Sequence, residues 1–201
     1  ESLTPLYVRD NLLAVLLRGK NDVLLCREIE LPEGVIALGK IENATRLGEA
    51  FRELYTAEFG IDENVKPLPV ALTFPDESTY THIFKMDGPV RSEMQSELQT
   101  RVAGYFPIAS SELALEWCAL PKSSSSTETG VFVSAIAKEY LTQTFHALSS
   151  ASLIPVASEN ESISLARALL PDHVSVTAII DIGARVTNVS VFDDSSGLPK
   201  L

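Results

Sequence analysis

The residues best suited to chemistry lie near the end of the chain, in the sequence IIDIGARVTNVSVF at 179–192. Asp181 offers a carboxylate for a metal ion or its water, and Thr187 offers a hydroxyl. Gly183 lets the backbone approach a ligand closely, and the amides of the turn, including that of Ala184, can cradle an anion. The pattern therefore predicts a phosphate-binding hairpin, although a buried hairpin of any α/β protein can carry Asp-x-Gly by chance.

A second carboxylate, Asp10, lies in the sequence YVRDNLLAVLL at 7–17. No glycine follows it, and Asn11 is followed by two leucines, which form a poor cradle for a phosphate. Because asparagine tolerates a left-handed turn, the geometry of a phosphate loop is not excluded. The sequence favours an ordinary β-turn at this position.

The other reactive side chains form no recognisable site. His82, His146 and His173 are scattered, without the spacing to other ligands that a zinc site requires, so no metal site is predicted. Cys26 and Cys118 lie within apolar runs, VLLCREI and LEWCAL, which predicts buried free thiols.

Composition limits the class of protein. Of the 201 residues, 45% are hydrophobic and 21% are charged, which is typical of a globular protein. The net charge of -11 argues against binding to nucleic acid or to an anionic lipid surface. No run approaches the ~20 apolar residues that span a bilayer, so no membrane insertion is predicted.

The elements that must position these residues alternate between strand and helix. The first half is predicted to contain a meander of three strands, one helix capped by Asn43, and two further strands. These elements are Pro5–Val8, Leu12–Leu17, Asp22–Glu30, the helix Ala44–Phe59, PVALTF at 69–74 and TYTHIFKM at 79–86.

The second half is predicted to continue the alternation. Pro89 opens a helix, the polar run PKSSSSTETG at 121–130 forms a hairpin loop, and Ser158 to Glu161 have the spacing of a capping box that starts a helix. The remaining predicted elements are Leu113–Leu120, Val131–Ile136, the helix Ala137–Ser150 and Leu153–Val156.

Three segments, in the same order, resemble the PilM family of type IV pilus assembly and, more loosely, its relative FtsA of cell division. The segments are LPEGVIALGKIEN at 31–43, the block Ala71–Leu120 that ends in YFPIASSELALEWCAL, and LIPVASENESISLARALL at 153–170 followed by AIIDIGARVTNVSV. Together they cover most of the chain.

The resemblance implies an α/β fold with an actin-like (ribonuclease H-like) core subdomain and an inserted small α+β subdomain, truncated within the second core subdomain. The chain would then be the N-terminal half of the family's fold. The implied division is 1–77 for the first core subdomain, 78–150 for the insert, 151–178 for the return to the core, and 179–201 for the start of the second core subdomain.

The resemblance also implies a function. The chain would be a cytoplasmic scaffold, peripheral at the inner face of the inner membrane, that binds the cytoplasmic tail of a PilN-like protein and meets other pilus-assembly components. The tail would enter as an extended segment between the core and the insert. Self-association is compatible with this role, and direct membrane insertion is not expected.

Because the Asp10 turn lacks a glycine, we expect a degenerate nucleotide site, no cofactor in this chain, and Mg-ATP only in a full-length protein. Two alternatives stay open, a nucleotide-dependent enzyme of the actin and sugar-kinase superfamily and an FtsA-like cell-division scaffold. Glu159 matches a glutamate that related actin-like proteins place before the helix leading to the second hairpin, where it sometimes acts on water. Its role as a helix-start residue is the competing interpretation.

Overall fold

A computed structural model describes residues 3–9, 11–18, 24–59, 67–88, 91, 94–120, 127–170, 176–183 and 186–193. Its helices and strands follow one another in the predicted alternation. In chain order they are β1 Thr4–Arg9, β2 Leu12–Arg18, β3 Leu24–Glu30, β4 Ile36–Ala37, β5 Lys40–Ile41, α1 Ala44–Phe59, β6 Leu68–Phe74, β7 Thr79–Asp87, α2 Met94–Val102, β8 Leu113–Ala119, β9 Glu128–Ala137, α3 Lys138–Ser150, β10 Leu153–Asn160, α4 Glu161–Leu169, β11 Val176–Ile182 and β12 Thr187–Asp193.

The chain divides into two compact units. Unit 1 comprises Glu1–Ser78 and Lys138–Asn160, and unit 2 comprises Thr79–Ala137 and Glu161–Leu201. Unit 1 contains a five-stranded sheet in the order β10-β6-β1-β2-β3. The strands β10, β6 and β1 are parallel, whereas β1, β2 and β3 form the predicted antiparallel meander.

The core of unit 1 follows from alternation along its strands. In β1, Leu6 and Val8 are buried, and Leu13 and Val15 of β2 lie opposite them as Leu6↔Val15 and Val8↔Leu13. Residues directly opposite in an antiparallel pair share a face of the sheet, so the four side chains form one apolar patch. The hairpin is thereby fixed in register.

Helices α1 and α3 of unit 1 contact each other, and α3 contacts β10. The α1 cap is the predicted one, because Asn43 Oδ1 accepts a hydrogen bond of 3.0 Å from the Arg46 amide. A Cβ at Gly48 would lie 2.5 Å from Ser150 Oγ, so the absence of a side chain there permits the close approach of the two helices.

The predicted subdivision, with the insert at 78–150 and the return to the core at 151–178, stays a prediction. The compact units divide the chain differently, because α3 groups with the five-stranded sheet of unit 1 and α4 belongs to unit 2. The physical reason for the grouping of α3 is its packing. This helix contacts α1 and β10, and its buried face includes Tyr140, Ala147 and Leu148.

Unit 2 contains a three-stranded antiparallel sheet in the order β7-β9-β8. Because β8 and β9 pair with each other, the chain between them closes a hairpin as predicted, and residues 121–126 of that connection lie outside the described residues. The sheet and α2 share an apolar core of Phe84, Met86, Met94, Leu98, Val102, Leu113, Val131, Val133 and Ala135.

Two local predictions were wrong. Strand β10 extends to Asn160 because it pairs with β6 along its length, up to Asn160↔Phe74, so the predicted capping box is strand and α4 begins at Glu161. Cys26 is exposed, since β3 is the edge strand of its sheet and most of its residues face solvent. Cys118 is half-buried, and burial raises the pKa of its thiol.

Candidate functional site

The hairpin predicted to bind phosphate is present in unit 2. Strands β11 and β12 pair in full register from Val176↔Asp193 to Ile182↔Thr187, and the Gly183 amide donates a hydrogen bond of 3.0 Å to the Val186 carbonyl. The predicted order of strand, glycine turn and strand is therefore confirmed. Since the Gly183 amide is used within the turn, it is not available to an anion in this conformation. Ala184 lies outside the described residues.

The two predicted polar side chains of the hairpin lie on opposite faces. Asp181 is opposite Asn188, and Ile182 is opposite Thr187. Because successive residues of a strand point to alternate faces, Asp181 shares a face with Asn188 and not with Thr187. The exposure of the side chains agrees with this division of faces, since Asp181 and Asn188 are half-buried and Thr187 is exposed.

Asn188 is a candidate site residue that the sequence did not indicate. Its Nδ2 atom is buried and, within the described part of the chain, has no hydrogen-bond partner. A buried amide donor without a partner costs free energy, so such a group often marks a ligand or water position. The sequence would have paired positions 181 and 188 if the length of the turn had been known, because the turn length sets the register of the hairpin.

The other face of the hairpin is apolar and exposed. Alternation places Val176, Ile180 and Ile182 of β11 on the same face as Val189 and Val191 of β12. These side chains are 60–79% exposed, from Ile180 to Ile182. A two-stranded hairpin alone is marginally stable, and apolar surface of this kind is normally covered.

The other predicted loop, at Asp10, joins β1 to β2 in unit 1. Asp10 itself lies outside the described residues. The Asn11 carbonyl accepts a hydrogen bond of 2.9 Å from the Leu31 amide, which ties this turn to the end of β3. The turn is thus part of the framework of the five-stranded sheet.

Polar residues lie at the carboxyl ends of β6 and β10, and the sequence analysis had considered only Glu159 among them. Asn160 is 3% exposed, and its Nδ2 atom donates a hydrogen bond of 3.3 Å to Asp76 Oδ1. Glu159 lies opposite Thr73 of β6, and its Oε2 atom is buried. The carboxyl ends of parallel strands are where open α/β sheets bind ligands. The signal in the sequence was an acidic residue, Asp76, two positions after β6, together with the polar residues Ser158–Asn160 that end β10.

The helix-start role considered for Glu159 is wrong, because the residue belongs to β10. Its carboxylate instead lies at the edge of the parallel strands, in the same unit as the Asp10 turn. Asp181 and Gly183 belong to unit 2. The described residues contain no group of three or more His, Cys, Asp or Glu side chains able to hold a metal ion.

The fit to Mg-ATP, which the fold family implies, is partial. Asp181 supplies one carboxylate, and Thr187 supplies a hydroxyl on the opposite face of the hairpin. The Gly183 amide already has an acceptor within the turn. On these observations the hairpin offers an incomplete phosphate cradle.

Comparison with known proteins places the chain in a family. The model of the type IV pilus assembly protein PilM family matches residues 13–198. The chain belongs to this family. No curated protein sequence matches the chain.

Solved structures show that the chain has the actin-like fold. The structure titled as the PilM-PilN type IV pilus biogenesis complex matches with a TM-score of 0.78 and 19% identity, over 97% of this chain and 59% of that one. The cytoplasmic domain of EpsL, an inner-membrane component of the type II secretion system of Vibrio cholerae, matches with a TM-score of 0.60 and 10% identity, over 95% and 71%. A protein of Bacteroides thetaiotaomicron with an actin-like ATPase fold and unknown function matches with a TM-score of 0.55 and 11% identity, over 96% and 66%.

The chain thus spans 59% of the length of the chain in the PilM-PilN complex structure. In the described part of this PilM-family chain, no helix is both long enough and apolar enough to span a membrane.

Proposed function

We propose that this PilM-family chain is a scaffold of type IV pilus assembly that binds the cytoplasmic tail of a PilN-like inner-membrane protein. It would act in the cytoplasm, at the inner face of the inner membrane, together with other pilus-assembly components. The observation that carries this proposal is the family match over residues 13–198. The similarity of the fold to a structure titled as a PilM-PilN complex supports it.

Charge supports the proposal as well. The chain carries a net charge of -11. Short cytoplasmic segments next to a membrane span carry an excess of Lys and Arg, so the tail of a bitopic inner-membrane protein is expected to be basic. Opposite charges on the two partners accelerate their association and favour this partner over acidic ones.

The open edges of the two sheets are places where an extended tail can form backbone hydrogen bonds with a strand. Among the described strands, β3 and β10 are the edges of the five-stranded sheet of unit 1, and β7 and β8 are the edges of the three-stranded sheet of unit 2. The free side of an edge strand presents unpaired backbone N–H and C=O groups, which an added strand can satisfy. Each of these edges is a candidate for the pairing.

The proposed scaffold does not require ATP turnover by this chain. The turn after β1 lacks a glycine, and the Gly183 amide in the hairpin of unit 2 is used internally. An enzyme of the actin and sugar-kinase superfamily needs two loops that grip phosphate, so these observations favour a scaffold.

The test uses a fluorescent synthetic peptide with the sequence that precedes the membrane span of the PilN-like protein from the same organism. We expect saturable binding to the 201-residue chain at micromolar concentration, measured by fluorescence anisotropy. Raising the salt concentration should weaken binding, because the partners attract electrostatically. A scrambled peptide of the same composition is the control, and equal binding of both peptides would refute the proposal.

A further inference from the structure

The turn between β4 and β5 holds a leucine in an unfavourable backbone conformation. The pairs Ile36↔Ile41 and Ala37↔Lys40 leave Leu38 and Gly39 as a two-residue loop. Their φ angles are 51° and 70°, both positive, as in a type I′ turn. Asn-Gly and Asp-Gly are the preferred sequences for this turn, and a bulky residue at positive φ is an outlier.

Burial does not account for the leucine. The Leu38 side chain is 87% exposed, the largest exposure among the described large apolar residues. The position therefore carries both a backbone strain and an apolar group in water, and asparagine or glycine would remove both. Strain that persists in a folded protein is frequently associated with a functional position.

The turn that carries Leu38 packs against a neighbouring segment of unit 1. The Gly39 carbonyl accepts a hydrogen bond of 3.2 Å from Ser78 Oγ. A Cβ at Gly39 would lie 2.9 Å from this Oγ atom and 3.0 Å from the Glu77 carbonyl oxygen, so the turn packs directly on the short 3-10 turn Asp76–Ser78. A side chain presented on a fixed backbone loses little entropy when it is buried by a partner.

The surroundings of the turn are acidic. Glu77 packs its backbone against Gly39 and is exposed, and Glu42, which follows β5, is exposed as well. The one exposed cation of the turn is Lys40. An apolar contact inside an acidic surface fits a segment that combines apolar and basic residues, as expected for a cytoplasmic tail next to a membrane.

We infer that Leu38 is a preformed apolar anchor that contacts the cytoplasmic tail of the PilN-like partner. The inference rests on the proposed function and names one residue that determines the affinity. Covering Leu38 would return the free energy that its exposure costs, which for a leucine corresponds to about a tenfold gain in affinity or more.

The decisive experiment compares tail binding and melting temperature for four proteins. These are the wild type, Leu38→Asn, Leu38→Met as the conservative variant, and Leu3→Asn as the matched control. Leu3 also belongs to unit 1 and is 44% exposed, but it precedes β1, an inner strand of the sheet that offers no free edge. The probe is the synthetic tail peptide, and the readout is fluorescence anisotropy.

We expect Leu38→Asn to weaken tail binding at least tenfold while raising Tm by about 2–4 °C, because asparagine tolerates positive φ. Leu38→Met and Leu3→Asn should bind within about threefold of the wild type. A gain of stability together with a loss of binding distinguishes an anchor from a structural residue.

Other outcomes overturn the inference in distinguishable ways. If the wild type binds the tail and Leu38→Asn binds it equally well, the anchor is refuted and the proposed function stands. If Leu38→Asn lowers both Tm and affinity, Leu38 is structural and the anchor is refuted. If the wild type does not bind the tail, the proposed function fails and the inference falls with it.

Discussion

The two hairpins considered as phosphate loops, β1–β2 and β11–β12, have similar strands in different surroundings. In the β1–β2 hairpin, apolar residues such as Val8 and Leu13 are 0% exposed, because they belong to the buried core of the structure. In the β11–β12 hairpin, the equivalent apolar alternation leaves Ile182 79% exposed. Alternation of apolar and polar residues therefore identifies a strand. Whether the apolar face of the strand stabilises the fold depends on the elements that pack against it.

The largest expected effect tests this contrast with one substitution at two positions. Val8→Asp places a carboxylate at a fully buried site of β1, which should destabilise the chain by about 4 kcal/mol or more. Val189→Asp changes a residue of β12 that is 63% exposed and should cost less than about 1 kcal/mol. Urea unfolding followed by circular dichroism measures both.

If Val189→Asp proves as damaging as Val8→Asp, the apolar face of β11–β12 is covered in solution. The contrast between the hairpins would then be wrong. The matching conservative variants, Val8→Ile and Val189→Ile, control for a change of shape without a change of polarity.

An intermediate effect on stability is expected from the substitution of two asparagines, Asn160 in unit 1 and Asn188 in the β11–β12 hairpin. Asn160→Ala removes the buried amide that donates a hydrogen bond to Asp76, which should lower the free energy of unfolding by about 1–3 kcal/mol. Asn188→Ala removes a buried Nδ2 atom that has no partner among the described residues, so the free energy of unfolding should not fall and should rise by up to about 1 kcal/mol. Thermal melts of the two variants and the wild type provide the measurement.

A loss of stability in Asn188→Ala equal to that in Asn160→Ala would contradict this contrast. It would indicate that the Asn188 amide is bonded in solution, by water or by a ligand beside Asp181. Asn188→Asp is a useful second variant, since it keeps the size of the side chain but removes the donor.

The smallest expected effect concerns nucleotide. Titration of the 201-residue chain with Mg-ATP should produce no saturable heat at physiological concentrations, because the turn after β1 lacks a glycine and the Gly183 amide is already bonded. Isothermal titration calorimetry measures this directly, with ADP as the control ligand. Binding of Mg-ATP at micromolar concentration would show that the two hairpins work as phosphate loops, and would contradict this prediction.

Much of the fold was predictable because periodicity, caps and glycine turns are local signals. The meander, the Asn43 cap of α1 and the strand-turn-strand at Asp181 and Gly183 all depended on such signals, and the structure has them. The family resemblance, confirmed by the match over residues 13–198, added the fold class.

The errors concern residues whose state depends on distant parts of the chain. Strand β10 continues through Ser158 and Glu159 because β6 lies beside it, although the local sequence favours a helix start. Cys26 is exposed because β3 is an edge strand, which a sequence run cannot reveal. The register that pairs Asp181 with Asn188, and so separates Asp181 from Thr187, required the exact turn length.

The central claim is that the chain binds a tail and does so without nucleotide. The most direct measurement is the affinity of the PilN-like tail peptide for the 201-residue chain, by fluorescence anisotropy, with and without saturating Mg-ATP. The account predicts micromolar binding that is the same within about twofold in both conditions and weaker at high salt. Absence of specific binding, or an affinity that changes tenfold or more with Mg-ATP, would contradict it.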